Sequence, residues 1–110
     1  MDQTYTFAAA LNWLDYYKAG SLELLDLYSE DAAITCGCGT RQVLSGRRSL
    51  RSYWVDRFEQ KPVVDLIDLE DWLAGVVAVS YRTKIDVVRS VLTFDAHTGL
   101  IWIQRCGPLS

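Results

Sequence analysis

The strongest constraint in this sequence is a change of hydrophobic periodicity at Pro62. Upstream of it, three segments carry apolar residues at the i, i+3, i+4 spacing of a helical face, and downstream four segments alternate as strands do. A chain of 110 residues is the size of one domain. We therefore predict a single α+β domain over residues 1–110, in which the helices precede an antiparallel meander.

The predicted elements have recognisable ends. The first helix covers residues 5–19, with Thr4 or Thr6 as its N-cap and Gly20 just beyond its C-terminus. Ser21 is placed to cap a shorter helix that stops near residues 30–31. A third helix and the strands follow, at residues 47–60 and at 33–36, about 43–44, 63–70, 76–84, 87–94 and 100–106, with a hairpin loop at 95–99.

Neither face of the predicted meander is cleanly polar. In its second strand Val77 and Val79 share one face, and Val76 and Ala78 share the other. One face can pack against the helices, and the apolar residues left on the other face are typical of an interface. We therefore expect a homodimer through the sheet. In the last strand, the same alternation predicts two opposite faces. One face carries Leu100, Trp102, Gln104 and Cys106, and the other carries Ile101, Ile103 and Arg105.

Charge and composition exclude several classes of partner. The net charge of −3 and the pI near 5.0 argue against nucleic acid, whose backbone requires a basic surface. The longest apolar run is far shorter than the roughly 18–20 residues of a membrane span. Three cysteines and an N-terminus without a signal-peptide pattern favour a reducing compartment. We expect a cytoplasmic protein with neither nucleic acid nor membrane as partner.

Four segments resemble SnoaL-like proteins of the nuclear transport factor 2-like superfamily. Residues 11–22 (LNWLDYYKAGSL) and 27–32 (LYSEDA) are similar to the helix, turn and strand entry that open those proteins. Ser45-Gly46-Arg47 with Leu50 and Tyr53-Trp54 is similar to their third helix. Residues 93–101 (TFDAHTGLI) are similar to their closing hairpin. The order and spacing of the four segments cover nearly the whole chain.

The resemblance implies a conical α+β barrel of three helices packed in a curved, mixed, mostly antiparallel sheet, with a pocket between them. Many members are dimers, and the superfamily includes ketosteroid isomerases, polyketide cyclases, dehydratases, epoxide hydrolases and proteins that only bind ligands or other proteins. A fold shared by so many activities does not decide among them. The residues of the pocket must do so.

The isomerase positions are not matched. Alignment on Gly20, residues 28–31 and residues 94–95 places Trp13, Cys36 and Ser90 where isomerases carry a tyrosine, an aspartate base and a second acid. Nothing adjacent in the sequence would lower the pKa of Cys36, and Ser90 is a weak donor. The resemblance therefore argues against isomerase activity.

The chain is rich in aromatic residues, with four Trp, six Tyr and three Phe. The resemblance places Trp54 and Gln104 at pocket positions, and the aromatic residues around them either flatten a cavity for a planar apolar ligand or fill it. Both readings stay open. The residues expected to line the pocket are Trp13, Tyr17, Cys36, Tyr53, Trp54, Phe58, Ser90, Trp102 and Gln104.

A catalyst would still need an acid or a base in this pocket. The candidates are Asp65 and Asp68, with Asp15 as a third, and Asp65 shares strand parity with Val63 and Ile67. A carboxylate desolvated on that apolar face would have a raised pKa and could move a proton. The alternative is a surface aspartate near a strand bulge.

The cysteines and the histidine indicate no metal site and no cofactor. Cys36 and Cys38 are one residue apart, not at the spacing of structural zinc ligands, so these two and Cys106 are expected to be buried apolar residues. Neighbouring strand residues point apart, so a disulfide between Cys36 and Cys38 is not expected. His97 is expected to be a solvated turn residue.

Arg47, Arg48 and Arg51 form a basic cluster at the start of the third helix, where the helix dipole disfavours cations. Salt bridges to the acid-rich residues 1–31, within or between subunits, are one explanation. An anion site formed with the helix N-terminus is the other.

Two functions remain. The first is binding of a small hydrophobic or aromatic metabolite in the barrel pocket, with or without cofactor-free isomerase, cyclase or dehydratase chemistry. The second is a non-catalytic dimerisation or protein-interaction module whose cavity its own side chains fill.

Overall fold

Helices cover one face of a single six-stranded sheet in the computed structural model, which describes residues 3–36, 42–73 and 75–108. The helices are α1 (Gln3–Ala19), a 3₁₀ helix (Leu22–Leu27) and α2 (Arg47–Gln60). The strands are β1 (Tyr28–Cys36), β2 (Gln42–Ser45), β3 (Val63–Leu73), β4 (Val76–Thr83), β5 (Val87–Phe94) and β6 (Ile101–Pro108). The predicted α+β class and element order are confirmed.

The end of α1 follows from a glycine. Gly20 has φ +65°, and the amides of Gly20 and Ser21 donate to the carbonyls of Tyr17 and Tyr16, as in a Schellman motif. The predicted N-cap is wrong, because α1 begins at Gln3 and both threonines lie inside the helix.

The second helix is shorter than predicted. Ser21 caps it, its side chain accepting from the amide of Glu23 at 3.3 Å, but the helix is of 3₁₀ type and ends at Leu27. The chain enters the sheet at Tyr28, which pairs with Ile101 of β6. This parallel pairing with a strand 70 residues away is a tertiary contact that local periodicity does not report.

The sheet order is β2-β1-β6-β5-β4-β3, and every neighbouring pair is antiparallel except β1 with β6. The sheet is curved and mixed, as expected, but it is open, with β2 and β3 at its edges. Among the described residues, no helix is both long and apolar enough to cross a bilayer.

Strand bulges overturn the predicted parity in β3 and β6. Register shifts insert one extra residue on β3 at Val64, Ile67 and Trp72, and one on β6 at Trp102. All four are about half exposed, at 45–49%. Each bulge moves the following residues to the other face, so the alternation predicted for the last strand holds only from Ile103 onward.

Candidate functional site

The space between the helices and the sheet holds a cluster of aromatic side chains. In this interior aromatic cluster Trp13 lies edge-on to Trp54, with ring centroids 5.9 Å apart, and Tyr17 lies edge-on to Trp54 at 5.0 Å. Helical spacing on α1 and α2 brings these side chains to one face of each helix. The cluster comprises Trp13, Tyr17, Tyr28, Tyr53, Trp54, Phe58 and Tyr81.

Most of the cluster is closed to solvent. Trp13 and Trp54 are 0% exposed, and Tyr17, Tyr28 and Tyr81 are 1% exposed. Tyr53 and Phe58, both on α2, are only half-buried, so the cluster approaches solvent on the α2 side.

Tyr28 links α1 to the sheet through its hydroxyl. It accepts a hydrogen bond from Trp13 Nε1 at 2.9 Å and donates one to Gln104 Oε1. Burial raises the pKa of Tyr28 well above its usual range, against the opposing effect of the Trp13 and Trp54 indole groups. The hydroxyl therefore stays protonated and keeps its donor.

A buried cation lies beside the cluster. Arg57 of α2 is 6% exposed, and it donates from Nε to the Tyr17 hydroxyl at 2.8 Å and from Nη2 to the Tyr81 hydroxyl at 3.2 Å. Its guanidinium carbon lies 5.9 Å from the ring centroid of Tyr53, at cation–π distance. The Tyr81 hydroxyl shares a further hydrogen bond with Ser90 Oγ at 3.1 Å.

These groups stay in one charge state near neutral pH. Burial raises the pKa of Tyr17, Tyr53 and Tyr81, so the phenols are neutral. Burial opposes the charged form of Arg57, and the charges of Tyr81, Tyr53 and Tyr17 raise the pKa of Arg57 only where those phenols are ionised, so near neutral pH no phenolate compensates the guanidinium. The interior holds a guanidinium ion among neutral hydroxyl groups.

Two further donors in the interior make no hydrogen bond of normal geometry with a described residue, although the Trp54 indole is close enough to the Tyr28 hydroxyl to affect its pKa. They are Trp54 Nε1 and Gln104 Nε2, on residues that are 0% and 1% exposed. A buried polar group without a partner costs about 1–3 kcal/mol, which makes such a group a marker of function or of a missing acceptor.

The interior lacks a carboxylate over the part of the chain that the structure describes. The buried polar and charged residues of the described chain are Thr6, Arg57, Ser80, Thr83, Ser90 and Gln104, none of them an acid. Asp65, Asp68 and Asp15 are exposed. Of the two positions considered for Asp65, the structure shows the surface aspartate beside a strand bulge: the bulge at Val64 pairs it with the exposed Arg82 and turns it outward.

The other predicted lining residues divide into three groups. Ser90 and Gln104 are buried on the helix-facing side of the sheet, as the interior position requires. Trp102 does not line the interior, because its bulge leaves it 46% exposed on the outer face. The Cys36 side chain lies outside the described part of the structure, as does Cys38.

The remaining candidates from the sequence are Cys106, the basic cluster and His97. Cys106 is buried, and its Sγ lies 3.3 Å from the Tyr53 hydroxyl. Arg47 donates to the backbone carbonyls of Leu25 and Tyr28, while Arg48 and Arg51 are exposed. His97 is exposed in the hairpin turn, as predicted. No cluster of possible metal ligands occurs within residues 3–36, 42–73 and 75–108.

Two grooves lie outside the interior. One, of about 350 Å³, runs between α1 and the β5–β6 turn, where the Tyr5 hydroxyl donates to the Gly99 carbonyl at 3.0 Å. The other, of about 220 Å³, lies on the outer face of the sheet and is lined by Trp72, Val76, Val91, Thr93, Ile103 and Arg105. Arg89 borders the outer groove, 5.6 Å from the Trp72 ring and 3.3 Å from a Glu70 carboxylate oxygen.

Sequence reasoning missed Arg57, Tyr28 and Tyr81. Arg57 had a visible signal, because it follows Trp54 by three residues and so lies on the same helix face as the core. The sequence predicts Tyr28 in the second helix, whereas it begins β1. It predicts Tyr81 in a strand and gives no signal that distinguishes it from the other strand residues.

The helices, the curved mixed sheet and the enclosed aromatic interior together define a class, the α+β fold of SnoaL-like and nuclear transport factor 2-like proteins. The fold implied by the resemblance is therefore confirmed. No family model matches the sequence, and no curated protein matches it.

Solved structures with this fold include three that cover nearly the whole chain. A SnoaL-like protein of unknown function from Burkholderia thailandensis has 16% identity and a TM-score of 0.86, with 100% of this chain and 99% of that chain covered. SalBIII, an epoxide hydrolase/cyclase-like enzyme of pyran ring formation in salinomycin, has 16% identity and a TM-score of 0.81 over 98% and 93%. An NTF2-like protein from Anabaena variabilis has 15% identity and a TM-score of 0.76 over 100% and 93%. At these identities the likeness concerns the fold and leaves the chemistry to the site.

Proposed function

We propose that the protein binds a small, planar, hydrophobic or aromatic metabolite in its interior, against the rings of Trp13 and Trp54. The observation that carries the proposal is the pair of buried donors without partners, Trp54 Nε1 and Gln104 Nε2. A purely structural core favours apolar side chains at such positions, whereas the hydrogen-bond acceptors of a ligand would satisfy donors of this kind.

The polar groups of the interior suit binding and polarisation better than proton abstraction. Trp54 and Gln104 present N–H donors and Arg57 presents positive charge, and the described interior offers no carboxylate base. Such a set stabilises negative charge on an oxygen. Cyclase, dehydratase or isomerase chemistry would therefore have to rely on polarising a carbonyl, with the proton taken up by solvent or by the substrate itself.

The test is ligand binding followed by tryptophan fluorescence and melting temperature, with a panel of planar aromatic carbonyl compounds. Trp54→Phe keeps a ring and removes the unpaired N–H, so we expect roughly tenfold weaker binding, the value of about one hydrogen bond. Trp102→Phe is the matched control, since Trp102 is half exposed on the outer face. A panel that shifts neither fluorescence nor melting temperature would refute the proposal, as would equal losses in the two variants.

A second candidate is the interaction module, with a second copy of the chain covering the outer face of the sheet. The observation that favours it is the groove in which Val76, Val91 and Ile103 lie beside the half-exposed Trp72. Apolar patches of this kind on a sheet are typical of protein interfaces. The rings of the interior would then serve as core alone.

Light scattering on a size-exclusion column tests this homodimer. We expect twice the chain mass for the wild type and the single-chain mass for Val91→Glu, which puts a charge into the outer groove. Val55→Glu is the matched control, because Val55 is 47% exposed on α2 and away from the groove. A wild-type monomer, or a Val91→Glu dimer, would exclude this interface.

A further inference from the structure

We propose that the interior site is specific for a ligand with a negatively charged oxygen, a carboxylate or a phenolate, and that Arg57 is its counter-ion. This specificity rests on the proposed function, because it requires that the interior binds a ligand.

The first argument is the cost of the buried charge. Only 6% of the Arg57 surface is exposed. Its described side-chain hydrogen-bond partners are the hydroxyl oxygens of Tyr17 and Tyr81, which are neutral phenols. Removing a guanidinium ion from water is strongly unfavourable unless a counter-charge compensates it. Among the described ion pairs, Lys61–Asp86 and Arg89–Glu70, none includes Arg57.

The second argument concerns the charges that face Arg57 from the surrounding elements. Asp86, in the turn between β4 and β5, is near enough for its pKa to be affected by Arg57, but its carboxylate is bonded to Lys61 Nζ at 2.9 Å and to Thr83. Lys61 and Asp86 cancel each other. From α1 and β5 the facing groups are Tyr17 and Ser90, both neutral, so the described surroundings leave one net positive charge.

The third argument is that the phenol oxygens hold the guanidinium in place. The Tyr17 hydroxyl donates to the carbonyl of Lys61 at 2.7 Å, and the Tyr81 hydroxyl forms a hydrogen bond with Ser90 Oγ at 3.1 Å in which either group can donate. Their oxygens orient the guanidinium through two of its five N–H groups. Arg57 is thus held in a fixed orientation while its charge remains available.

The fourth argument is position. Arg57 follows Trp54 by one turn of α2, so the guanidinium and the unpaired indole N–H emerge from the same helix face. A planar aromatic acid with its ring against the cluster would direct its charged oxygen to the guanidinium on this face. A guanidinium fork matches a carboxylate in two-point geometry, which an amide of the same shape does not reproduce.

The experiment compares two isosteric probes, 2-naphthoate and 2-naphthamide, by fluorescence titration at pH 7. We expect the acid to bind at least about tenfold more tightly to the wild type, equivalent to about 1.4 kcal/mol. Arg57→Met should remove this preference, because the acid loses its counter-ion whereas the amide loses at most one hydrogen bond. Arg57→Lys, which keeps the charge but loses the fork, should retain part of the preference.

Each other outcome overturns the inference in a distinguishable way. Equal binding of acid and amide by the wild type leaves the proposed function intact and refutes the charge specificity. Binding of neither probe refutes both. Loss of amide binding in a folded Arg57→Met protein assigns Arg57 to the support of the site alone. If Arg57→Met does not fold, the titrations are repeated on the wild type in high salt. A buried ion pair keeps the preference for the acid over the amide under these conditions, whereas an attraction between surface charges is screened and the preference is lost.

Discussion

Removing the hydroxyl of Tyr28 tests how the interior is held together. Tyr28→Phe deletes one oxygen atom, but it leaves two buried groups without their partner, Trp13 Nε1 and Gln104 Oε1. Each such group costs about 1–3 kcal/mol, so we expect a loss of about 2–6 kcal/mol in the free energy of unfolding. For a domain stabilised by about 5–15 kcal/mol this is a large fraction.

The assay is urea unfolding followed by tryptophan fluorescence, with thermal unfolding as a second measurement. A loss of about 2–6 kcal/mol corresponds to roughly 8–24 °C in melting temperature, at about 4 °C per kcal/mol for a domain of this size. Tyr5→Phe is the matched control, since the Tyr5 hydroxyl is exposed and donates to the Gly99 carbonyl, where water can replace it. We expect that control to lose no more than about 1 kcal/mol.

The combination of Tyr28→Phe with Gln104→Leu sharpens the test. Gln104→Leu removes the orphaned carbonyl together with its unpaired amide, so the double variant should be less destabilised than the sum of the single ones. Equal losses for Tyr28→Phe and Tyr5→Phe, or strict additivity with Gln104→Leu, would refute the hydrogen-bonded role of Tyr28.

Two further predictions concern the turns. Gly20 and Gly99 both have positive φ, +65° and +73°, so alanine at either costs about 1–2 kcal/mol, but only at Gly99 would the new Cβ collide with the Tyr5 hydroxyl. Gly99→Ala should therefore unfold at lower urea than Gly20→Ala, and a Tyr5→Ala background should abolish the difference. The hydrogen bond from Thr83, together with Lys61, lowers the pKa of Asp86, so its contribution to stability is present above the unfolded pKa near 4 and is lost as the pH falls below it. Asp86→Asn should flatten the acid limb of the stability profile, and an unchanged limb would show that Asp86 contributes nothing to it.

Much of the fold was predictable because its signals are local. The end of α1 at Gly20 and the start of α2 at Gly46 are both marked by glycine, which adopts positive φ at little steric cost, here +65° and +87°. The boundaries of β5 were predicted as they stand, since the hairpin glycine at Gly99 and the alternation of residues 87–94 agree. The short helix before β1 was predicted with its Ser21 cap but with its end too late, because that end depends on pairing between Tyr28 and Ile101, far apart in the chain.

The candidate site was predictable only in part, for a related reason. Trp13, Tyr17 and Trp54 meet because helical spacing alone puts them on the inner faces of α1 and α2. Strand residues depend on register, and one extra residue reverses every side chain that follows. The bulges at Val64 and Trp102 therefore put Asp65 outside and Trp102 on the outer face, against the simple alternation.

By itself, the sequence determined the α+β class, the order of the elements and the presence of an aromatic interior, because periodicity and glycine positions act over a few residues. Only the tertiary structure decided which polar groups share that interior. It brought Arg57 of α2 between Tyr17 of α1 and Tyr81 of β4, and it turned Gln104 inward and the carboxylates outward. Those placements depend on strand register and on the docking of helices against the sheet, where the cost of burying charge is decided by contacts between residues distant in the chain.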